Sequence, residues 1–322
     1  MLCAAHCLQA QHSDAGTTAF PFLTLNYDAR TVAMGGASAA VQNDVYGVLS
    51  NPAAIGYAER TQVMAGYRQI IMDVWGGPLG VVHPVSKGVL GVSLITVTTG
   101  DFNIVNEYGN TTEGRARSSY TTGALSWGML LYDNLSAGVS LKAVYHNIEA
   151  DKDRYSADGF AVDCGVQYRL NNGRLIYGAV LRNFGFVRSG YLNEFNDYPL
   201  PYGVEAGISY VPNHISNLRI ALDVNKIKGD YLNFESGFEY SLSGSVFLRG
   251  GYNFSFRDLE NAIDKLSGER NEDYQKSNAA ALSLGGGLAA VVDNVDLKLD
   301  AAFQFYSDLS RPVFILSVIA AF

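Results

Sequence analysis

The histidine and cysteine residues of the sequence are not spaced for catalysis or for metal binding. The sequence contains no nucleophile elbow, no phosphate-binding loop and no paired-cysteine metal motif. His83, His146 and His214 have no ligand spacing between them, so each is expected to be an ordinary strand or turn residue. We therefore predict that the protein is not an enzyme and that it holds no metal ion or cofactor.

One acidic stretch, within residues 255–277, has a composition that could gather a divalent cation. Its acidic side chains are Asp258, Glu260, Asp264, Glu269, Glu272 and Asp273. They alternate with the basic side chains of Arg257, Lys265 and Arg270. Mixed charges of this kind favour a solvated loop or a short helix over a cation site.

Most other charged side chains alternate with apolar ones. Between Val295 and Phe305, one face carries only apolar side chains, and the other carries Asp296, Lys298, Asp300 and Gln304 together with Ala302. The same period of two recurs in residues 217–226 and 231–241. An apolar face this continuous is typical of a membrane barrel, which is apolar outside and polar inside, and not of a soluble barrel.

The polar faces predict which charges line the inside of the barrel. These are Lys142, Asp163, Arg169, Glu205, Arg219, Asp223, Glu235, Glu239, Arg249, Asp296, Lys298 and Asp300. Both signs are present, so they can pair with one another and with Asp28, Arg30, Asp44 and Arg60 of the N-terminal region. Such pairing predicts a plugged barrel, since an open ion channel would more often show a ring of one sign.

The fold class is therefore all-β: a transmembrane antiparallel barrel of about fourteen strands. The strands are predicted at 61–73, 75–84, 88–99, 119–131, 135–147, 159–170, 174–186, 202–211, 217–226, 231–241, 244–254, 278–291, 294–306 and 313–322. The long connections, at 100–118, 148–158, 187–201 and 255–277, all fall at one end of the barrel, and the connections at the other end are short. This asymmetry indicates long extracellular loops and short periplasmic turns.

Composition agrees with a membrane barrel. Charged residues make up 17% of the 322 residues, and Tyr (20), Phe (16) and Gly (34) are plentiful. The net charge of −8 comes without a basic block, which excludes a nucleic-acid partner. The expected location is the bacterial outer membrane, where the barrel would be monomeric and surrounded by lipid.

The two ends of the chain have their own expected roles. Residues 1–10 resemble the second half of a signal peptide without its basic start, which suggests a truncated start and cleavage after Ala10. Residues 11–60 form the predicted N-terminal segment, and residues 61–322 form the predicted barrel. The last strand ends on Phe322, which we interpret as an assembly signal because outer-membrane barrels commonly end on Phe.

The N-terminal segment carries a motif that resembles the PorV/PorQ family. Its residues are Tyr27-Asp28-Ala29-Arg30, Ala33-Met34-Gly35-Gly36-Ala37, Asn43-Asp44 and Asn51-Pro52-Ala53. That family is part of the larger superfamily of FadL-type outer-membrane transporters, in which an Asn-Pro-Ala motif lies in a hatch that plugs the barrel. The resemblance implies that Asp28, Arg30, Gly35, Gly36, Asp44, Asn51, Pro52 and Ala53 belong to such a hatch. The residues alone allow a second interpretation, in which these are ordinary turn and packing positions.

The resemblance leaves three functional hypotheses open. PorV/PorQ proteins are associated with type IX secretion, which implies delivery or attachment of cargo proteins through the loops 100–118, 187–201 and 255–277, with Phe102, Tyr108 and Tyr191 as aromatic anchors. FadL-like uptake would instead place a hydrophobic small molecule in a pocket lined by Phe20, Phe22, Leu23 and Tyr27. A structural barrel with neither activity is the third. The chain looks shorter than the FadL transporters, which favours secretion-system subunits or secreted cargo as partners.

Overall fold

The computed structural model of the protein describes residues 16–41, 44–70, 73–105, 111–151, 153–191, 198–256, 258–259, 280–306 and 311–322. Residues 1–10 lie outside this part of the chain, so the signal-peptide prediction stays a prediction. So does the division of the remainder into 11–60 and 61–322. Most of the acidic residues between 255 and 277 also lie outside the described residues.

Within the described residues, fifteen antiparallel strands form one sheet. They are β1 (Gln62–Gln69), β2 (Trp75–Val85), β3 (Gly88–Thr98), β4 (Phe102–Val105), β5 (Thr111–Tyr132), β6 (Leu135–Ala150), β7 (Asp153–Leu170), β8 (Leu175–Ser189), β9 (Gly203–Tyr210), β10 (Leu218–Ile227), β11 (Leu232–Ser241), β12 (Val246–Ser255), β13 (Ala281–Val292), β14 (Val295–Tyr306) and β15 (Val313–Ala321). The short strand β4 pairs with β5 alone, and the other fourteen close into a ring. The predicted strand number is confirmed.

The ring is completed by two pairings between strands that are not consecutive in sequence. β1 pairs with β15 from Gln62 opposite Ala321 to Arg68 opposite Ile315. β3 pairs with β5 from Val89 opposite Gly128 onward, with β4 left outside the ring. A closed barrel has no unpaired sheet edge, so every strand of the ring satisfies its backbone hydrogen bonds on both sides, as a membrane requires.

Burial along the strands is the reverse of that in a soluble protein. In β14, Asp300 is fully buried, whereas its neighbour Leu299 is 44% exposed. In β10, Asp223 is 2% exposed and Leu222 is 54% exposed. The charged side chains therefore point into the ring and the apolar ones point outward, which confirms the predicted alternation.

The connections separate into two kinds, which define two ends of the barrel. The turn end carries the links at 86–87, 133–134, 171–174, 211–217, 242–245 and 293–294. The loop end carries the two longest connections, 190–202 and 256–280, together with short links such as 151–152 and 228–231. At the turn end, Asp293 and Asn294 both have left-handed backbone conformations, with φ of 49° and 68°. Two such residues form the type I′ turn that matches the twist of a hairpin.

Two predicted loops are wrong in extent. Residues 100–118 are largely strand, because β4 and the first part of β5 form a hairpin there. The predicted loop 148–158 shrinks to the link between Ala150 and Asp153. β5 has 22 residues, about twice the length needed to cross a bilayer. A strand that continues into water needs no apolar face, so its sequence lacks the alternation that marks the membrane part.

A bulge interrupts β8 where it faces β7. Val162 pairs with Phe184 and Cys164 pairs with Leu181, so Asp163 stands opposite two residues, Arg182 and Asn183. Asn183 has a left-handed φ of 55°, and its backbone N–H donates to Asp163 Oδ1 at 2.7 Å. The extra residue changes which side chains of β8 point inward.

The N-terminal segment, residues 16–60, precedes β1 and contains four short helical pieces. They are helix α1 (Ala29–Ala33) and three 3₁₀ turns at Pro21–Thr24, Val45–Val48 and Pro52–Tyr57. Within the described residues, no helix has the length and apolar character to cross a bilayer.

Candidate functional site

The N-terminal segment contacts inward-facing residues on opposite walls of the ring. Helix α1 packs against β12 to β15, and the turn Pro52–Tyr57 packs against β5 to β7 on the other side. Between them, residues 38–40 contact strands β9 and β10 through hydrogen bonds described below. The segment therefore lies between the walls, and it holds all eight residues of the predicted hatch motif.

Three of these motif residues begin the helical pieces. Asp28 Oδ1 accepts a hydrogen bond from the backbone N–H of Thr31 at 2.7 Å and caps α1. Asp44 caps the turn Val45–Val48, and Asn51 caps the turn Pro52–Tyr57 in the same way. Asp and Asn are preferred at this position because the side-chain oxygen satisfies a free backbone N–H. Each of these three motif residues is therefore explained by its role as the N-cap of the turn that follows it.

Arg30 joins the segment to the wall through a buried ion pair. Its Nε and Nη2 donate to the two carboxylate oxygens of Glu239 at 2.9 and 2.8 Å, and its Nη1 donates to Asp44 at 3.3 Å. Burial alone lowers the pKa of Arg30, but the carboxylates of Glu239 and Asp44 outweigh it and hold that pKa above its usual value. The guanidinium is therefore a permanent charge in this contact.

The same pair continues into a chain of charges along the wall. Arg249 Nε donates to Glu239 at 2.7 Å, and Arg249 Nη1 donates to Asp300 at 2.7 Å. The Tyr46 hydroxyl lies 3.5 Å from the second oxygen of Asp300. Burial, reinforced by the charge of Asp300, raises the pKa of Tyr46 well above its ordinary value, so this tyrosine stays neutral. Alternating signs let these buried charges satisfy one another.

Asp28 lies close to this row of paired charges but has a different electrostatic environment. It is almost fully buried, and burial raises its pKa to about 6 although the hydrogen bonds from Thr31 oppose the change. The negative charge of Asp44 raises it further, and Arg30 lowers it. Asp28 is thus the motif residue whose charge changes at mildly acidic pH.

The loop after α1 rests on carboxylates of the opposite wall. The backbone N–H groups of Ser38 and Ala39 both donate to Asp223 Oδ2, at 2.7 and 2.8 Å. The Ser38 hydroxyl donates to Glu205 at 3.1 Å, and Arg182 donates to both at 2.8 and 3.0 Å. Together these bonds fix residues 38 and 39 against β8, β9 and β10.

Gly35 and Gly36 allow the N-terminal segment to lie close to strand β11. Both have left-handed φ angles, 71° and 104°. A Cβ on Gly35 would lie 2.6 Å from the backbone oxygen of Ser236, and one on Gly36 would lie 2.5 Å from the carboxylate of Glu235. Neither position therefore accepts a side chain without a shift of the wall.

Glu205, Asp223 and Glu235 are the group within the described chain whose spacing could hold a cation, since one oxygen from each lies within 4.8 Å of the others. The sequence does not reveal these three residues as a set, because they lie on three different strands. Two of the three already accept hydrogen bonds from Ser38, and Arg182 supplies a positive charge. These contacts account for the cluster as part of the wall that holds the segment.

Asn51, Pro52 and Ala53 fit against glycines of the wall. Asn51 Nδ2 donates to the backbone oxygen of Ala39 at 2.9 Å and to that of Val166 at 3.3 Å, so it ties the segment to itself and to β7. A Cβ on Gly138 would lie 2.3 Å from Pro52, and one on Gly165 would lie 2.0 Å from Asn51 Oδ1. The motif and the two strands are matched in shape.

The four residues of the predicted hydrophobic pocket are only partly brought together. Phe20 and Phe22 belong to one apolar cluster near the loop end, with Leu23 at its margin. Phe22 packs on Tyr120 with 4.5 Å between ring centroids, and the Tyr27 hydroxyl donates to the Phe22 backbone oxygen at 3.0 Å. Of the four, Phe20 alone borders the neighbouring cavity of about 280 Å³.

That cavity has an aromatic wall with a buried histidine behind it. Tyr120, Tyr191 and Tyr198 line it together with Phe20. His146 stacks on Tyr120 at 3.6 Å, and its ring nitrogens lie in hydrogen-bonding contact with the hydroxyls of Ser118 and Tyr191. Burial raises the pKa of Tyr191 to about 12. His146 is therefore part of an aromatic cluster, in keeping with its expected role as a strand residue.

Phe322 lies away from the N-terminal segment. Its side chain is 55% exposed, and its backbone N–H donates to the backbone oxygen of Thr61 at 3.0 Å, next to the β1–β15 pairing. Its role as an assembly signal stays a prediction.

Comparisons with known proteins agree with this architecture. The family model described as "Type IX secretion system protein PorV" matches residues 8–230, more than half of the chain. No curated protein sequence matches the chain.

Two solved structures share the fold. The toluene transporter TodX of Pseudomonas putida aligns with a TM-score of 0.62 and 13% identity, over 92% of this chain and 96% of that one. The CymD monoaromatic hydrocarbon channel aligns with a TM-score of 0.64 and 16% identity, over 94% of this chain and 98% of the other. At these identities the similarity shows a common barrel architecture. The chain belongs to the PorV family of type IX secretion system proteins, and it is a β-barrel of the outer membrane.

Proposed function

We propose that the protein serves type IX secretion as a closed barrel, in which the N-terminal segment is a hatch and the loop end handles cargo. The observation that carries the proposal is the buried ion pair between Arg30 of the segment and Glu239 of the wall. Short turns of outer-membrane barrels face the periplasm and long loops face the cell exterior, so cargo would meet the loop end.

The contacts of the segment support a role as a hatch. Arg30 attaches it to β11, Ser38 attaches it to β9 and β10, and Asn51 attaches it to β7. Attachments on several sides of the ring keep the segment across the lumen, where it would block free passage of solutes. A barrel blocked in this way is suited to hold partner proteins and is not suited to conduct ions.

Exposed aromatic side chains at the loop end support cargo handling. Phe102 lies on the β4–β5 hairpin and is 49% exposed, and Tyr191 and Tyr198 are exposed beside the link between β8 and β9. Tyr108, the third predicted anchor, lies outside the described residues. Large aromatic side chains contribute most of the binding free energy at many protein interfaces. Secreted cargo proteins and secretion-system subunits are the proposed partners of a monomeric barrel in outer-membrane lipid.

Photo-cross-linking tests the cargo proposal. A benzoylphenylalanine placed at Phe102 is expected to cross-link secreted proteins or secretion-system subunits in living cells, which mass spectrometry would identify. The matched control carries the same group at Tyr132, an exposed aromatic residue at the turn end. If position 132 captured the same secreted proteins as position 102, the assignment of cargo handling to the loop end would be wrong.

Uptake of a hydrophobic small molecule is the second candidate function, and the cavity beside Phe20 favours it. An apolar cavity of about 150 Å³ can hold benzene, so the volume of about 280 Å³ is large enough for a single aromatic ring. Calorimetric titration of the detergent-solubilised barrel with toluene tests this function. Binding that is lost in Ala157→Leu, which fills the cavity, and kept in Ala290→Leu on the outer surface would support uptake. If toluene does not bind, the proposed uptake function is wrong.

A further inference from the structure

Arg169 carries a half-buried positive charge that forms no ion pair with a carboxylate among the described residues. It lies near the turn end of β7, one residue before the strand ends. Its guanidinium stacks on the ring of Tyr57, with 3.2 Å between Cζ and the ring centroid. Its Nε and Nη2 are buried and have no hydrogen-bond partner. Arginine cannot release its proton to escape this cost, so the position requires an acceptor.

The two unpartnered atoms form one edge of the guanidinium. This edge donates two parallel hydrogen bonds to the two oxygens of a carboxylate or phosphate. The aromatic ring of Tyr57 covers a face of the guanidinium and does not occupy the hydrogen-bonding direction of this edge, which lies in the guanidinium plane. The Tyr57 hydroxyl is itself buried without a hydrogen-bond partner, and it could donate to the same acceptor.

Neighbouring strands add further donors and a second positive charge. Ser136, whose buried hydroxyl also lacks a partner, stands opposite Gln167, two residues before Arg169 on the same face of β7. In the other direction Arg169 pairs with Ile176, and Ile176 pairs with Ser209. Arg219 donates to the Ser209 hydroxyl at 2.9 Å, so a second arginine lies in the same region. The carboxylate that acts on its charge, Glu239, is already paired with Arg30 and Arg249.

We propose that Arg169, Tyr57 and Ser136, supported by the charge of Arg219, form a binding site for an oxyanion at the turn end of the barrel. The ligand class is a carboxylate or a phosphate group that enters from the periplasmic side. It would accept two hydrogen bonds from the edge of Arg169 and a third from Tyr57. Because Tyr57 ends the last turn of the N-terminal segment, the bound anion would join that segment to β7.

Nuclear magnetic resonance of the arginine side chains tests the site. Protein labelled with ¹⁵N-arginine in detergent micelles would be titrated with inorganic phosphate, with acetate, and with tetraglycine carrying either a free or an amidated C-terminus. The Arg169 Nε–H signal, assigned from its loss in Arg169→Lys, is expected to shift saturably with at least one oxyanion and not with chloride. The free and amidated peptides show whether a peptide carboxylate is a source of the ligand.

Variants distinguish binding at this site from nonspecific attraction of anions to the positive charges at the turn end. Arg169→Gln is expected to abolish oxyanion binding, observed through the remaining arginine signals, and Tyr57→Phe is expected to weaken it by about tenfold through loss of one hydrogen bond to a charged group. Arg174→Gln is the matched control, since Arg174 lies in the adjacent turn and donates to a backbone oxygen of Pro212. A shift of the Arg169 signal that follows chloride as closely as phosphate would overturn the proposal. Equal weakening by Arg174→Gln would overturn it as well.

Discussion

Replacement of Arg30 by alanine is expected to release the N-terminal segment from the barrel wall. Arg30 makes three charge-assisted hydrogen bonds to Glu239 and Asp44, at 2.9, 2.8 and 3.3 Å, between side chains that are at most 15% exposed. Removing one partner of a buried pair costs about 3–5 kcal/mol. Glu239 keeps its bond to Arg249 at 2.7 Å, so the lower value of about 3 kcal/mol applies here.

That free energy predicts a measurable opening of the lumen. A loss of about 3 kcal/mol raises the population of the undocked segment by about 100-fold or more. Single-channel recording in planar bilayers measures it, because each undocking would open a conductive path. We expect rare openings in the unmodified barrel and frequent openings in Arg30→Ala.

Arg60 provides a matched control within the same segment. It pairs with the wall residue Asp296 at 2.9 Å, but both side chains are more than half exposed. An exposed pair contributes about 0–1 kcal/mol, so Arg60→Ala should change the open fraction by a few-fold at most. The double variant Arg30→Ala with Glu239→Gln should behave more like the unmodified barrel than Arg30→Ala does, because it removes both charges. Equal conductance of Arg30→Ala and Arg60→Ala would refute the reasoning.

Three further changes follow from the same geometry. Gly36→Ala should lower the yield of folded barrel in heat-modifiability gels, because strain at its φ of 104° and the contact with Glu235 cost about 1–3 kcal/mol. Leu299→Arg, on the outer face, should destabilise the barrel in the membrane by about 2–4 kcal/mol, whereas Val292→Arg near the turn end should cost about 0–1 kcal/mol. Equal assembly of the two variants in the membrane would contradict the assigned membrane position. Burial raises the pKa of Asp28 from 3.8 to about 6, so the undocked segment ionises at lower pH than the docked one. Docking should therefore weaken as pH rises from about 4 to about 6, and Asp28→Asn should remove that part of the dependence in protease-accessibility assays.

The wall of the barrel could be predicted from sequence because its period of two is local. Leu299 and Asp300 alternate as neighbours in the chain, and the membrane forces one outward and the other inward. The same argument fails at the β8 bulge, where Arg182 and Asn183 both reach inward contacts. Arg182 was therefore absent from the predicted lumen charges, since a bulge leaves no mark in a pattern of alternating residues.

The contacts of the N-terminal segment could be predicted only in part. The capping roles of Asp28 and Asn51 have a sequence signal, because Asp and Asn before a short helical run are typical N-caps. The wall residues that contact the segment have no such sequence signal. For example, Ser38 and Asp223 form a hydrogen bond although they are 185 positions apart in the sequence. Phe22 was expected in the pocket, and it packs on Tyr120, which lines the cavity beside Phe20. These contacts depend on how side chains pack inside the folded ring, which the sequence pattern does not specify.

The polarity of the contact between segment and wall bears on how a hatch could work. An apolar plug would separate from its wall only by exposing apolar surface to water, at about 25 cal/mol for each Å². The contact in this barrel is mixed. Arg30 and Ser38 meet the wall through charges and hydrogen bonds that water can replace. Apolar clusters also join the two surfaces, one holding Val32 with Ile315 and another holding Ile55 with Ile319. The ring of strand pairings includes no residue of the N-terminal segment. Undocking of the segment would therefore expose apolar surface as well as break polar bonds, while the ring can stay closed because its strands pair without the segment.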